Sequence, residues 1–262
     1  MAIIEPNKEV WNRFWESKSD IDTVYPSSPS VLHTITDSFA VQGMKILEVG
    51  AGSGRDSAEL ARLGADVTVL DFSEASLQIV NKLRNELEIA DNLHLVRGDA
   101  FNAPFADGSF DLVFHQGLAE HFKDPLPLLV ENYRLVKPGG FCLCDVPQTF
   151  HIYTILKHIL IKMDKWFAGW ETQFTMRQLQ KLMENAQFVP VYKYGDWMRP
   201  NIFYRMFREA LLKIGVELPR YPFPHSSWAK FWDNLQDKFA DKSWAHHTQL
   251  SIGILAQKKE KE

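Results

Sequence analysis

Only two of the 262 residues are cysteine, Cys142 and Cys144, and they stand two apart. On a strand that spacing points both to one face, too close along the chain for a useful staple, so a disulfide framework is excluded. Reduced, buried thiols of a cytoplasmic protein are expected instead. No segment approaches the roughly 18 uninterrupted apolar residues of a membrane span. The first residues, Met1-Ala-Ile-Ile-Glu-Pro6, lack the basic stretch, apolar stretch and cleavage site of a secretory leader. Positive charge is not in excess: 29 Lys and Arg against 33 Asp and Glu leave −4, which gives no whole-protein attraction for nucleic acid. Internal repeats and low-complexity tracts are also missing. Nine histidines are scattered without tight ligand spacing, apart from His246-His247, so no metal is expected. What remains is 45% hydrophobic and 24% charged, an ordinary globular composition with chain enough for a substantial core.

The stretch Ile46-Leu-Glu-Val-Gly-Ala-Gly-Ser-Gly54, followed by Val67-Thr-Val-Leu-Asp71, is the most informative in the chain. A strand, a glycine turn, a helix and a second strand ending in an acid is the apparatus for holding a nucleoside. Gly50, Gly52 and Gly54 make G-x-G-x-G, but Arg55 stands where a dinucleotide fingerprint needs its third glycine. That argues against NAD or FAD and for the looser turn used by S-adenosylmethionine (SAM) enzymes.

The surrounding pattern alternates. Strands are expected over 45–49, 66–70, 93–97, 110–114 and 141–145, with helices over 56–63, 73–88 and 126–136, the second capped by Ser73. The rhythm predicts an α/β, Rossmann-like sheet of seven mostly parallel strands with helices on both faces. Gly50, Asp71, Asp99 and His115 all fall at its carboxyl edge, where such sheets bind ligands. Helices over 8–16 and 31–39 form an N-terminal helical lid, 1–42, on a core of 43–150. Residues 151–247 hold aromatic-rich insertions that form a substrate cap, together with one core helix and strand at about 175–195. The helix there opens on the capping box Thr175-Met-Arg-Gln178. Strands over 188–194 and 248–256 finish the sheet, the last core segment being 248–257 of one structural domain. In 151–170, Ile152, Ile155, Leu156, Ile159, Met163 and Trp166 form an apolar stripe with Lys157, Lys162 and Lys165 elsewhere on the turn. The ordinary expectation packs that stripe on the core and leaves the lysines in water. The alternative seats it on a membrane surface or against a lipid-like acceptor.

Together these residues resemble a class I SAM-dependent methyltransferase of the small-molecule group, similar to quinone-biosynthesis enzymes. Leu47–Gly54, Leu70-Asp-Phe-Ser73 and Gly98-Asp-Ala100 resemble the family's first three motifs. The segment 105–114 with Leu118-Ala-Glu-His-Phe122 resembles the fourth, and Arg134-Leu-Val-Lys-Pro-Gly-Gly140 the turn before strand five. The resemblance implies that Gly50, Ala51, Gly52 and Gly54 let backbone approach the amino-acid portion of SAM. It implies that Glu48 orients that loop or the cofactor's ammonium, that Asp71 takes the ribose hydroxyls and that Phe72 packs on adenine. Asp99 and Ala100 would meet the adenine edge, and His115 and Gln116 the methionine end. A general base is needed only if the acceptor carries a proton that must leave. His115, His121, His151 and Tyr25 are the candidates.

The reading is therefore methyl transfer from SAM to an O or N atom of a small, aromatic or apolar metabolite, by a monomer or homodimer without a nucleic-acid partner. The competing readings are a non-catalytic SAM-binding sensor or partner subunit, and another SAM-dependent group transfer on the same fold. Ala186-Gln-Phe188 departs from the family's Ala-Gly-Phe, so the helix end there must do without glycine's easy left-handed turn.

Overall fold

The computed structural model describes residues 8–18, 29–50, 52–163, 166, 171–197, 200, 202–219, 234–236, 238–239 and 242–260. Seven strands form one sheet: β1 Lys45–Val49, β2 Asp66–Asp71, β3 Leu93–Arg97, β4 Phe110–Gln116, β5 Val136–Pro147, β6 Val189–Asp196 and β7 Ser251–Gln257. Their order is β3-β2-β1-β4-β5-β7-β6, with β7 antiparallel to both neighbours and the remaining pairs parallel. This is the expected Rossmann-like α/β sheet.

The described helices are α1 Lys8–Glu16, α2 Ser30–Ser38, α3 Arg55–Arg62, α4 Glu74–Glu86, α5 Leu126–Leu135, α6 Ile152–Lys162, α7 Met176–Asn185 and α8 Ile202–Leu212. Strand alternation divides the core. Val113, Cys142 and Cys144 look toward Leu128 and Leu129 of α5 and Leu179 and Met183 of α7. Leu112, Phe114 and Leu143 look the other way, toward Ile35 of α2, Leu60 of α3 and Val80 of α4. Both cysteines are buried and free.

Strand β5 begins five residues earlier than its apolar run, because Val136 pairs with Phe110. The register then shifts before Leu112 meets Phe141, so Lys137-Pro-Gly-Gly140 is an irregularity within the strand where a connecting turn was expected. Gly140 is needed there, since a Cβ would stand 2.8 Å from the Asp111 carbonyl oxygen.

Helix α6 reverses the expectation for the insertion. Ile152, Ile155, Leu156, Ile159 and Met163 are exposed, whereas Thr154 and Lys157 are buried. The lysine turns inward because Glu171 meets it in a buried ion pair. Trp166 Nε1 donates to the other oxygen of that carboxylate at 2.7 Å. Of the aromatic cap expected over 197–232, Tyr221, Phe223, Trp228, Phe231 and Trp232 lie outside the described residues, and α8 exposes Phe203 and Phe207. No described helix is long and apolar enough to cross a membrane.

Candidate active site

A cavity of ≈250 Å³ opens at the carboxyl ends of the strands, beside β1 and β4, where the winding of the sheet reverses. Its floor is the glycine turn after β1. Gly50 and Gly52 line it, both with positive φ (+69° and +54°), and the Gly50 N–H donates to the Leu70 carbonyl at 2.8 Å. A Cβ on Gly52 would stand 2.9 Å from the Trp15 ring. Gly54 serves differently: it lies outside the lining, and a Cβ there would strike Val80 at 2.8 Å, so it lets α3 pack on α4. Ala51 lies outside the described residues.

Asp71, 6% exposed, reaches the cavity from the tip of β2. Its Oδ1 accepts the Ser73 N–H at 2.8 Å, and its Oδ2 the Ser76 hydroxyl at 3.1 Å and the Gly52 N–H at 3.4 Å. One carboxylate thus ties the glycine turn to the start of α4, where Ser73 is the N-cap. Burial raises its pKa, and these hydrogen bonds oppose the rise. Glu48 lies deeper and accepts from the Ser57 hydroxyl. Burial, with Asp56 close by, pushes its carboxyl up to about 8.

Beyond β3, Asp99 accepts the Phe101 N–H at 2.9 Å, while Ala100 and Phe101 line the wall beside Phe72. Helix α1 lies across this edge. Its Lys8 ammonium stands 3.6 Å from Asp99, Trp15 covers Gly52, and Trp11 meets the His121 ring edge-on at 4.7 Å. The remaining wall is the end of β4 and the turn after it: Gln116, Gly117, Leu118, His121 and Phe122.

The four candidate bases separate. His121 lines the cavity, and burial lowers it to about 4, which keeps the ring neutral near pH 7. His115 is wholly buried outside that lining, with neither ring nitrogen hydrogen-bonded. It stands beside Gln116 on the strand, and alternation gives the cavity to the glutamine. His151 is the N-cap of α6, its Nδ1 accepting from the Tyr153 N–H at 3.2 Å. Tyr25 lies outside the described residues. Sequence reasoning missed Trp11, Trp15, Arg55 and Asp56, which line the cavity, and Glu120, which stands behind it. The four-residue spacing of the tryptophans marks an amphipathic helix of the expected lid, without saying that its rings reach the cofactor's cavity.

The residues fit SAM. Backbone made open by glycine and the carboxylates of Glu48, Asp56 and Asp71 share one cavity with Trp11, Trp15 and Phe72, a setting for a cationic ligand with an adenine ring. The profile of a methyltransferase domain matches residues 47–144. The match covers the strands and turns that build the cavity floor, less than half of the chain. The chain is similar to a ubiquinone biosynthesis O-methyltransferase of Dinoroseobacter shibae, 30% identical over 61% of this chain and 65% of the relative. It is also similar to the enzyme of that name from Maricaulis maris, 29% identical over 70% of this chain and 74% of the relative. The match to the first thus falls short of two thirds of that relative's length. The fold resembles geranyl diphosphate C-methyltransferase from Streptomyces coelicolor, with a TM-score of 0.63 at 15% identity, over 98% of this chain and the whole of that one.

Proposed function

We propose that the protein transfers a methyl group from SAM to an oxygen or nitrogen of a small, aromatic or apolar metabolite. The observation that carries this reading is the union of glycine turn, buried carboxylates and His121 around one largely apolar cavity at the reversal of the sheet. Gly50, Gly52 and Glu48 hold the amino-acid end of the cofactor, Asp71 the ribose, and Phe72, Asp99 and Ala100 the adenine; Gln116 borders the methionine end. When bound, SAM supplies a methyl carbon on a positively charged sulfur. The chain's own work is to align the acceptor, keep water out and take a proton where one must leave. Trp11 and Trp15 make α1 a lid over that site. His121 accepts the proton, being the candidate base on the cavity wall. The relatives named for O-methylation favour oxygen over nitrogen as the acceptor atom.

Isothermal titration with SAM, followed by assay of S-adenosylhomocysteine release with catechol and 3,4-dihydroxybenzoate, tests the reading. Binding with turnover of an aromatic hydroxyl supports it. Absence of SAM binding overturns it, and binding without turnover across hydroxyl and amine acceptors would favour a sensor.

A further inference from the structure

The described side chains that line the cavity include four acids, Glu48, Asp56, Asp71 and Asp99, and two permanent cations, Lys8 and Arg55. The cations stand two strands apart. Lys8 reaches to 3.6 Å from Asp99 beyond β3, beside the adenine wall. Arg55 opens α3, directly after the glycine turn that follows β1. Gly54, at φ +63°, carries the chain out of that turn and into the helix. The Ser57 hydroxyl donates to Glu48 and so fastens the first turn of α3 to the tip of β1. Glu48 and Arg55 therefore border the same glycine turn, one from the strand before it and one from the helix after it. The amides of the two lining glycines are already committed. The Gly50 N–H donates to the Leu70 carbonyl at 2.8 Å, and the Gly52 N–H to Asp71 at 3.4 Å.

SAM brings charge of both signs to this turn. Its α-ammonium suits the acids, whereas its α-carboxylate comes up against Glu48, Asp56 and Asp71 and needs a cation to offset them. The committed glycine amides do not supply that offset, and Lys8 stands at the adenine end. The geometry points to Arg55 as the residue that receives the α-carboxylate of SAM, with Glu48 on the ammonium. This rests on the placement of the cofactor's amino-acid end at Gly50, Gly52 and Glu48. A guanidinium suits the task because its planar fork can donate two parallel N–H···O bonds to one carboxylate. The pairing also sets which donor the chain accepts. Decarboxylated SAM, a donor of aminopropyl groups, keeps the ammonium and the sulfonium but offers Arg55 no carboxylate. In that complex the guanidinium would face a doubly positive ligand. Arg55 therefore selects for methyl transfer and against aminopropyl transfer on this fold.

The test is a cycle of two ligands and two proteins, read by isothermal titration and independent of any acceptor. The wild-type chain should bind SAM about thirtyfold more tightly than decarboxylated SAM, the effect of one charge-assisted pairing. Arg55→Met keeps the apolar stem and removes the fork. It should lose about thirtyfold toward SAM and hold or gain affinity for decarboxylated SAM, so that the preference vanishes. Arg55→Lys, which keeps the charge without the fork, should fall between the two. Binding of decarboxylated SAM shows that each variant is folded. Equal losses toward both ligands would mean that Arg55 only holds the turn in shape, and would overturn the inference. An Arg55→Met chain that still prefers SAM would overturn it too, as would a wild-type chain that binds the two ligands equally. If Arg55→Met binds neither ligand, Arg55→Lys decides: a loss confined to SAM supports the pairing, and equal losses overturn it. A wild-type chain that binds neither ligand removes the reading of the cavity as a SAM site, and the role of Arg55 with it.

Discussion

Asp71 illustrates how one carboxylate serves two purposes. Its three hydrogen bonds, to the backbone of Gly52 and Ser73 and the hydroxyl of Ser76, brace the glycine turn against α4. It still faces the cavity, where the ribose hydroxyls of SAM would find it. Asp71→Ala should therefore weaken SAM binding by more than tenfold, more than about 1.4 kcal/mol, by titration calorimetry; near-normal affinity would remove its ribose role. His115 makes the contrasting case. An imidazole with neither nitrogen paired, buried beside Cys144, costs the fold the solvation of its polar atoms, on the order of 1–3 kcal/mol. His115→Leu should thus leave SAM affinity and turnover unchanged and leave the melting temperature level or higher. A loss of turnover at normal SAM affinity would return His115 to the active site.

At the level of elements, legibility followed how local the cause was. Strands β1 and β3 begin and end where their apolar runs do, at 45–49 and 93–97. The capping box of α7 forms as its sequence prescribes, with Thr175 and Gln178 each bonding the other's backbone. Orientation was harder to read. A parallel strand is apolar on both faces, so nothing local says that Gln116 and not His115 meets the cavity. Helix α6 points Lys157 inward because of Glu171, fourteen residues later, and Glu120, thirty-seven earlier, partners that no helical periodicity encodes. The end of α7 shows a local conflict that the sequence did reveal. Phe188 N–H bonds the Met183 carbonyl and Gln187 N–H the Glu184 carbonyl, a complete Schellman closure whose left-handed residue is Gln187 at φ +70°. Phe188 and Met183 are both buried in the same cluster, which holds the closure in place despite the strained glutamine. Gln187→Gly should raise stability by about 1 kcal/mol in urea unfolding, since glycine takes that conformation freely. A loss of stability would show that the glutamine side chain matters more than its backbone.

Over the whole molecule, burial of titratable groups at the carboxyl edge should set the pH dependence of stability. Burial raises three carboxyls, Glu48, Glu120 and Asp145, each to about 8. Folded, they keep their protons up to that pH, whereas unfolded they lose them near their ordinary values of 4.5, 4.5 and 3.8. Their contribution is complete below those ordinary values and is lost as pH rises toward 8. His115 and His121 act in the opposite sense. Both are lowered from 6.5 to about 4, so their contribution is complete above 6.5 and is lost as pH falls toward 4. Between 4.5 and 6.5 the two sets oppose each other; between 6.5 and 8 only the carboxyls act. The melting temperature of the ligand-free protein should therefore fall most steeply from pH 6.5 to 8 and level off above. SAM offers positive charge to Glu48, so binding near pH 7 should release protons, seen as a calorimetric enthalpy that varies with the ionisation heat of the buffer. A melting temperature that holds or rises across pH 6.5–8 would mean that these carboxyls are already ionised in the fold. The proton release on SAM binding would then disappear as well.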